Sequence, residues 1–268
     1  MEWFEAIILG LVQGLTEFLP VSSSGHLEIG KVLLGVEATD DLMFTTMVHA
    51  ATVLSTIVVF RKQILDLFKG LFKFKYNDQT DYVFKIALSC VPIMIVGLFF
   101  KEDVEALFGS IKVVGFALLL TSALLFFSDL ASRRDKVTNP ASESRNGISY
   151  WQAFVVGLGQ ALAVIPGLSR SGTTISTGLI CGVRRDVMAQ FSFLMVLIPI
   201  LGESFLELVG GEFSASSVGA LPLALGFLSA FVSGLFACKV MIALVKKAKL
   251  SWFAIYCLIA AAAIFIFA

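Results

Sequence analysis

Apolar residues run along this chain in stretches of near-bilayer length, separated by short polar or charged segments. Six stretches are long and apolar enough to cross a bilayer, covering approximately residues 43–60, 82–100, 111–130, 187–209, 219–245 and 251–267. A hydrocarbon core of about 30 Å takes roughly 20 helical residues to cross, so each stretch predicts a transmembrane helix. Two further apolar regions, 3–35 and 151–182, are broken at their centres. The first break reads Leu19-Pro20-Val21-Ser22-Ser23-Ser24-Gly25 and the second Ile165-Pro166-Gly167-Leu168-Ser169-Arg170-Ser171-Gly172. Proline removes a backbone donor and glycine weakens a helix, which predicts helix, break and second short helix in each region.

The broken regions are copies of one another. A shift of 147 residues pairs Ala6 with Ala153, Gly10 with Gly157, Leu11 with Leu158, Gln13 with Gln160 and Leu15 with Leu162. The same shift pairs Ser22 with Ser169, Ser24 with Ser171 and Gly25 with Gly172. Leucine and alanine identities are common by chance in membrane sequences, so the shared glutamine and the Ser-x-Ser-Gly after a proline carry the argument. Each copy is followed by three spans.

Basic residues orient the chain. They fall in the loop after the first span (Arg61, Lys62, Lys69, Lys73, Lys75), in the loop after the third (Arg133, Arg134, Lys136, Arg145), before the fourth (Arg184, Arg185) and after the fifth (Lys246, Lys247, Lys249). The positive-inside rule assigns these segments to the cytoplasm. The opposite segments hold Glu37, Asp40, Asp41, Glu102, Asp103, Glu105 and Glu212, with Lys31, Lys101 and Lys112 as the basic residues near them. Region 151–182 therefore has basic flanks on both sides and region 3–35 acidic ones, so each enters and returns on one side. At 1.5 Å per residue the first arm of each comes to about 25–27 Å, nearly enough to cross, and flanking charge decides for a re-entrant hairpin. Three spans per copy is an odd number, which inverts the second copy. The predicted fold is an all-α integral membrane protein: six transmembrane helices plus two re-entrant helical hairpins, arranged as an inverted-topology repeat. One membrane domain, 1–268, holds repeat one (1–130) and repeat two (150–268). The hairpin tips are expected to meet in the bilayer, where irregular backbone is tolerated if it lines a cavity or is buried in protein.

Composition agrees. Of 268 residues, 57% are hydrophobic and 15% charged, with a mean hydropathy of +0.90, against about a quarter charged in soluble domains. That excludes a secreted disulfide scaffold, a disordered tail and an ordinary cytosolic enzyme. Twenty basic and 20 acidic residues cancel, leaving no global field to favour nucleic acid. Cys90, Cys181, Cys238 and Cys257 stand singly with no CxxC, and read as small apolar fillers. Glu2 and Glu5 beside the first apolar run, with no small-residue cleavage site, argue against a signal peptide. Trp and Tyr mostly flank spans as an aromatic belt.

The tips carry the candidate chemistry. A helix N-terminus offers unpaired N–H groups and the positive end of the macrodipole, so two termini facing one cavity, with serine hydroxyls and Arg170, describe a receptor for a multiply charged oxyanion. An arginine at mid-membrane costs about 2.5–3.5 kcal/mol on insertion scales, and its planar fork suits bidentate phosphate contact. Gln13 and Glu17 share one helix face, and Glu17 is an ionisable group within the membrane. Ser23 and His26 lie three apart, where a hydroxyl and an imidazole can meet as an activated nucleophile; Glu17 can orient that imidazole or hold a divalent cation. The plainer roles are N-caps for Ser22 or Ser23 and packing for His26. His49 reads as a helix–helix hydrogen bond. Glu28 lines the cavity or points to the outer interface, and Glu203 is a weaker candidate near the site.

At these residues the chain resembles the bacterial undecaprenyl-diphosphate phosphatases of the bacitracin-resistance type. One family motif appears as Gln13-Gly14-Leu15-Thr16-Glu17-Phe18-Leu19-Pro20-Val21-Ser22-Ser23-Ser24-Gly25-His26, the other as Pro166-Gly167-Leu168-Ser169-Arg170-Ser171-Gly172-Thr173-Thr174, and Phe191 to Leu194 continue the likeness. The resemblance implies hydrolysis of the terminal phosphate of undecaprenyl diphosphate, yielding the lipid monophosphate of cell-wall synthesis and bacitracin resistance. It implies a divalent cation, Mg²⁺ or Ca²⁺, and a site facing the outer side of the bacterial plasma membrane. By position, Ser23 is the nucleophile, His26 its base or polarising partner, Glu17 the acidic partner or metal ligand and Arg170 the diphosphate clamp. Gln13, Ser22, Ser24, Gly25, Ser169, Ser171, Gly172 and Thr174 bind substrate. Many members have Glu where this chain has Gln13, which leaves it a hydrogen-bonding role. The partners implied are the polyprenyl diphosphate and membrane lipids, without nucleic acid; the copy number, a homodimer included, is open. Attack by Ser23 and attack by a water that His26 activates both fit. The rivals are a transporter or flippase of a polyprenyl phosphate, since inverted repeats with broken helices occur in transporters, and a scaffold that binds the lipid without turnover.

Overall fold

The apolar stretches fold as helices, and no strand occurs among the described residues of the computed structural model, which are 1–36, 41–107, 110–134, 144–202, 218–247 and 249–267. The broken region at the start is α1 (Trp3–Thr16) and α2 (Ser23–Leu34); α3 (Asp41–Val59), α4 (Arg61–Leu71), α5 (Asp78–Phe99), α6 (Lys101–Glu105) and α7 (Ile111–Arg134) follow. The second broken region is α8 (Tyr150–Leu162) and α9 (Arg170–Ile180), followed by α10 (Arg185–Met195), α11 (Ala220–Lys247) and α12 (Ser251–Phe267).

Among the described residues, four stretches are long and apolar enough to cross a membrane: Asp78–Phe99, Ile111–Ser132, Arg185–Gly202 and Ala220–Val245. A fifth is reached if Met43–Val59 and Arg61–Leu71, which meet at 73°, count as one broken span. Their outward faces carry large apolar side chains such as Phe84, Leu98, Phe116, Leu228 and Phe236, which a lipid environment accommodates. The chain is a multi-pass membrane protein. One expectation needs correction. The basic segment after the first span is not a loop but α4, which turns Arg61, Lys62 and Lys69 away along a new axis while Leu65 and Phe68 stay exposed. The last helix keeps its expected bounds, and its 17 residues come to roughly 26 Å, at the short end of what a span needs. Residues 203–209 of the span expected at 187–209, with Glu203, lie beyond the described residues, as do Glu37, Asp40, Glu212 and Lys136.

The repeat is visible in local chemistry. Glu5 accepts the Glu2 backbone N–H at 2.6 Å at the start of α1, and Gln152 accepts that of Ser149 at 2.9 Å at the start of α8. Each second arm is capped by the matched serine: Ser22 accepts from the Gly25 N–H at 3.2 Å and Ser169 from the Gly172 N–H at 3.1 Å, satisfying a donor that the helix leaves orphaned. Both second arms end at a glycine of positive φ, Gly35 (69°) and Gly182 (81°), where a Cβ would be strained.

Small residues then set the packing. Gly10 and Gly14 bring α1 against Gly226, Ser229, Ala230 and Ser233 of α11, and Gly157 brings α8 against the Ser89 backbone of α5. Backbones approach this closely only without side chains between them. Each hairpin thus packs its first arm on the second long helix of the other repeat. The second hairpin folds back on itself: Gln152 at the start of α8 donates to the Cys181 carbonyl after α9 at 2.9 Å, and Gly159 faces Thr177. Helices α7 and α12 pack together and receive α9 against α7. First arms of 14 and 13 residues, roughly 20 Å each, are shorter than the sequence suggests.

A methyl at Gly10 or Gly157 collides with backbone of the facing helix, and overpacking of this kind costs about 1–3 kcal/mol. Gly10→Ala and Gly157→Ala should lower the thermal midpoint in detergent. Gly97→Ala, whose Cβ meets nothing within 4 Å, should leave it unchanged or raise it.

Candidate active site

The two breaks meet. Ser171 at the second tip donates to the Leu19 carbonyl of the first at 3.1 Å, and the Ser24 hydroxyl accepts from the Gly167 N–H at 3.4 Å. Gly167 takes φ 90° with its missing Cβ aimed at the Val114 backbone, so glycine lets the tip lie flat on α7. At this junction is a cavity whose polar lining includes Glu17, Gln160, Arg170, Ser171 and Thr174. Phe18, Phe193 and Val196 supply part of its apolar wall.

Glu17 is the hub. It follows the last residue of α1, its backbone N–H bonding the Gln13 carbonyl at 2.9 Å, and its side chain is 11% exposed. Oε2 accepts the Ser23 hydroxyl at 2.5 Å and the Gln13 amide at 2.9 Å, and faces His49 Nε2 at 3.9 Å. The field of Arg170 reaches it across the cavity. A buried carboxylate needs such donors, because an unpaired charge out of water is costly. Ser23 and Gln13 come from opposite sides of the break, so the proline turn assembles the shell that Glu17 requires.

His26 lies elsewhere than the sequence suggests. The spacing places a hydroxyl and an imidazole within reach, but Ser23 is bonded to Glu17, and His26 bonds the Ser22 carbonyl through Nδ1 at 2.7 Å and the Tyr256 hydroxyl through Nε2 at 2.6 Å. A carbonyl only accepts, so Nδ1 carries the proton and Nε2 accepts from Tyr256. The rings stack with centroids 5.5 Å apart. Ser22 has φ 73°, a region uncommon for a residue with a side chain, and the His26 bond pins that carbonyl.

Most of the other hydroxyls tie the tips together. Ser22 and Ser169 are caps, the Ser169 N–H donates to Thr121 at 3.1 Å, and Ser24 and Ser171 join tip to tip. Gly25 and Gly172 present cap-bonded N–H groups at the two tips. Thr174 lines the cavity and shares a 2.6 Å bond with Ser192. Glu28 bonds Lys31 at 3.0 Å. Sequence reasoning missed three groups. His49 belongs to the Glu17 cluster, with Nδ1 on the Thr45 carbonyl at 2.8 Å; a histidine inside an apolar run was the available signal. Ser192 gave no local signal. Gln160 was noticed as a repeat partner but not as a lining group.

A divalent cation would find few protein ligands. Among the described residues no group of three or more His, Cys, Asp or Glu is placed to hold one. The oxygens near Glu17 include its own carboxylate, the Ser23 hydroxyl and Gln13 Oε1, the last buried without a partner. Hard cations take oxygen ligands, and Mg²⁺ commonly uses one or two carboxylates with substrate phosphates for the rest. The residues therefore fit a cation that arrives with, and is largely ligated by, a phosphorylated ligand.

The family described as "Bacitracin resistance protein BacA" matches residues 6–263. The undecaprenyl-diphosphatase of Parabacteroides distasonis is 57% identical over 264 residues, 97% of this chain and 96% of that protein. A Bacteroides fragilis protein of the same name is 56% identical over 263 residues, with coverage of 97% and 96%. One from Christiangramia forsetii is 51% identical over 271 residues, covering 100% and 99%.

Removing the Tyr256 hydroxyl deletes one hydrogen bond to His26, worth about 0.5–1.5 kcal/mol. Tyr256→Phe should lower the unfolding midpoint slightly, and Tyr256→Ala, which also removes the stacked ring, should lower it further.

Proposed function

This chain belongs to the bacitracin-resistance family, and on that premise we propose that it is a membrane phosphatase that hydrolyses undecaprenyl diphosphate to undecaprenyl phosphate and inorganic phosphate. The observation that carries the mechanism is the 2.5 Å bond from Ser23 to Glu17 beside a cavity that Arg170 also lines. The nucleophile and its proton acceptor are already within transfer distance.

The step follows from these positions. The diphosphate head enters the cavity with its prenyl chain left in lipid, and Arg170 clamps phosphoryl oxygens through its planar fork. Ser23 Oγ attacks the terminal phosphorus while its proton passes to Glu17. The Oγ–P bond forms, the bridging P–O bond breaks, and the lipid monophosphate leaves. Water then attacks the phosphoserine, Oγ recovers its proton from Glu17, and both protons of the water depart with the phosphate. Arg170 and the N-terminus of α9 answer the negative charge on the phosphoryl oxygens, the usual main source of catalysis in phosphoryl transfer. His26 acts as a positioning residue, holding the Ser22 carbonyl and so the start of α2 that carries Ser23. Glu17 and Gln13 Oε1 would hold Mg²⁺ or Ca²⁺ together with the diphosphate oxygens, and such a cation supplies charge neutralisation there.

The wider architecture is read in the same way: six crossings and two re-entrant hairpins in an inverted repeat within a single membrane domain, with the site opening to the outer face. The reciprocal packing of each first arm on the other repeat supports this layout, and the distribution of basic residues supports the orientation. A flippase has no need of the Ser23–Glu17 pair.

In detergent with a divalent cation, the protein should release inorganic phosphate from undecaprenyl diphosphate. Ser23→Ala should lose most turnover while still binding lipid, and Arg170→Ala should lose about 10²–10³-fold, with Arg170→Lys only a partial rescue because it lacks the fork. Chelation of divalent cations should lower release. Full turnover by Ser23→Ala removes it as nucleophile, and absence of release from the unmodified protein removes the enzyme reading.

A further inference from the structure

Gln160 is fully buried, lines the cavity, and has no hydrogen-bond partner on either Nε2 or Oε1 among the described residues. The repeat explains why. Its counterpart, Gln13, sits at the matching place on α1 and donates its amide to Glu17 four residues on, at 2.9 Å. Four residues on from Gln160 stands Val164, which offers nothing. The backbone site has been kept while the carboxylate partner has not, and the buried amide of this lining residue has two donors and an acceptor unused. A buried polar group without a partner is destabilising, and an apolar side chain would serve packing better. Thr173 and Ser176 on α9 also have unpartnered hydroxyls, but they do not line the cavity.

We propose that Gln160 is a headgroup-binding residue, its Nε2–H groups donating to phosphoryl oxygens of the diphosphate opposite the Glu17–Ser23 pair. The inference rests on the phosphatase reading for the identity of the ligand and on geometry for the contact. A carboxamide suits the position: it donates without adding charge, beside an arginine whose cation already balances the phosphate. A glutamate there would repel the same oxygens. The second hairpin thus contributes two kinds of donor, charged from Arg170 and neutral from Gln160.

The test uses Gln160→Leu and Gln160→Met, both apolar and of similar volume, and Gln160→Glu. Two readouts are taken: the thermal midpoint with and without inorganic pyrophosphate in the Ser23→Ala background, and KM and kcat for undecaprenyl diphosphate with Ser23 intact. Without ligand, the Leu or Met variant should unfold at or above the midpoint of its parent. It should lose most of the pyrophosphate-induced shift, with KM raised about tenfold, the factor that one charge-free hydrogen bond of ordinary strength supplies. Gln160→Glu should bind more weakly still. The proposal is overturned if Leu and Met variants keep the pyrophosphate shift and KM of the parent, or if both are markedly less stable without ligand, since the amide would then have a structural partner. If the Ser23→Ala protein shows a Gln160-dependent pyrophosphate shift but the protein with Ser23 intact releases no phosphate, the contact stands and the phosphatase reading fails. If the parent releases phosphate and the variants match it, the reading stands and the contact fails.

Discussion

A carboxylate withdrawn from water must be met by donors, and the arrangement around Glu17 follows from that requirement. Its donors come from α1 (Gln13) and from the far side of the proline break (Ser23), and the His49 imidazole of α3 lies 3.9 Å away. Ser23 can reach it only because the helix stops at Thr16 and resumes at Ser23. The break is therefore a way of wrapping a short polar shell around one charge in an otherwise apolar bundle. The same wrapping puts a hydroxyl against a proton acceptor, which is what phosphoryl transfer to a side chain needs.

The duplicated hairpins kept their scaffold and divided their chemistry. Capping serines, terminal glycines and close-packing glycines recur at matched positions and do the same jobs. The residues between them differ: Glu17 corresponds to Val164, Ser23 to Arg170 and His26 to Thr173. One tip supplies the carboxylate and the hydroxyl bonded to it, the other the arginine. Two copies of either tip would give a cavity with like charges opposed, which costs free energy at short range.

Much of this was legible in the chain. Pro20 and Pro166 with their serine clusters marked the breaks, and the shift of 147 residues marked the repeat because Gln13 and Gln160 are rare in apolar runs. What stayed hidden was tertiary. Spacing alone put His26 beside Ser23, since both lie at the start of one helix; Tyr256, 230 residues away, captured the imidazole. His49 joined the Glu17 cluster through the packing of α3, which no local pattern encodes. The bend at Phe60 was also concealed, because α4 is amphipathic and its basic residues read equally well as a loop.

The most direct test of the account is a single-turnover experiment with undecaprenyl diphosphate labelled in its terminal phosphate, quenched in acid at early times and analysed by peptide mapping. The label should pass transiently through a peptide phosphorylated at Ser23 before appearing as free phosphate. Release of labelled phosphate at the full rate with no phosphorylated peptide at any time, or label on another residue, would contradict it.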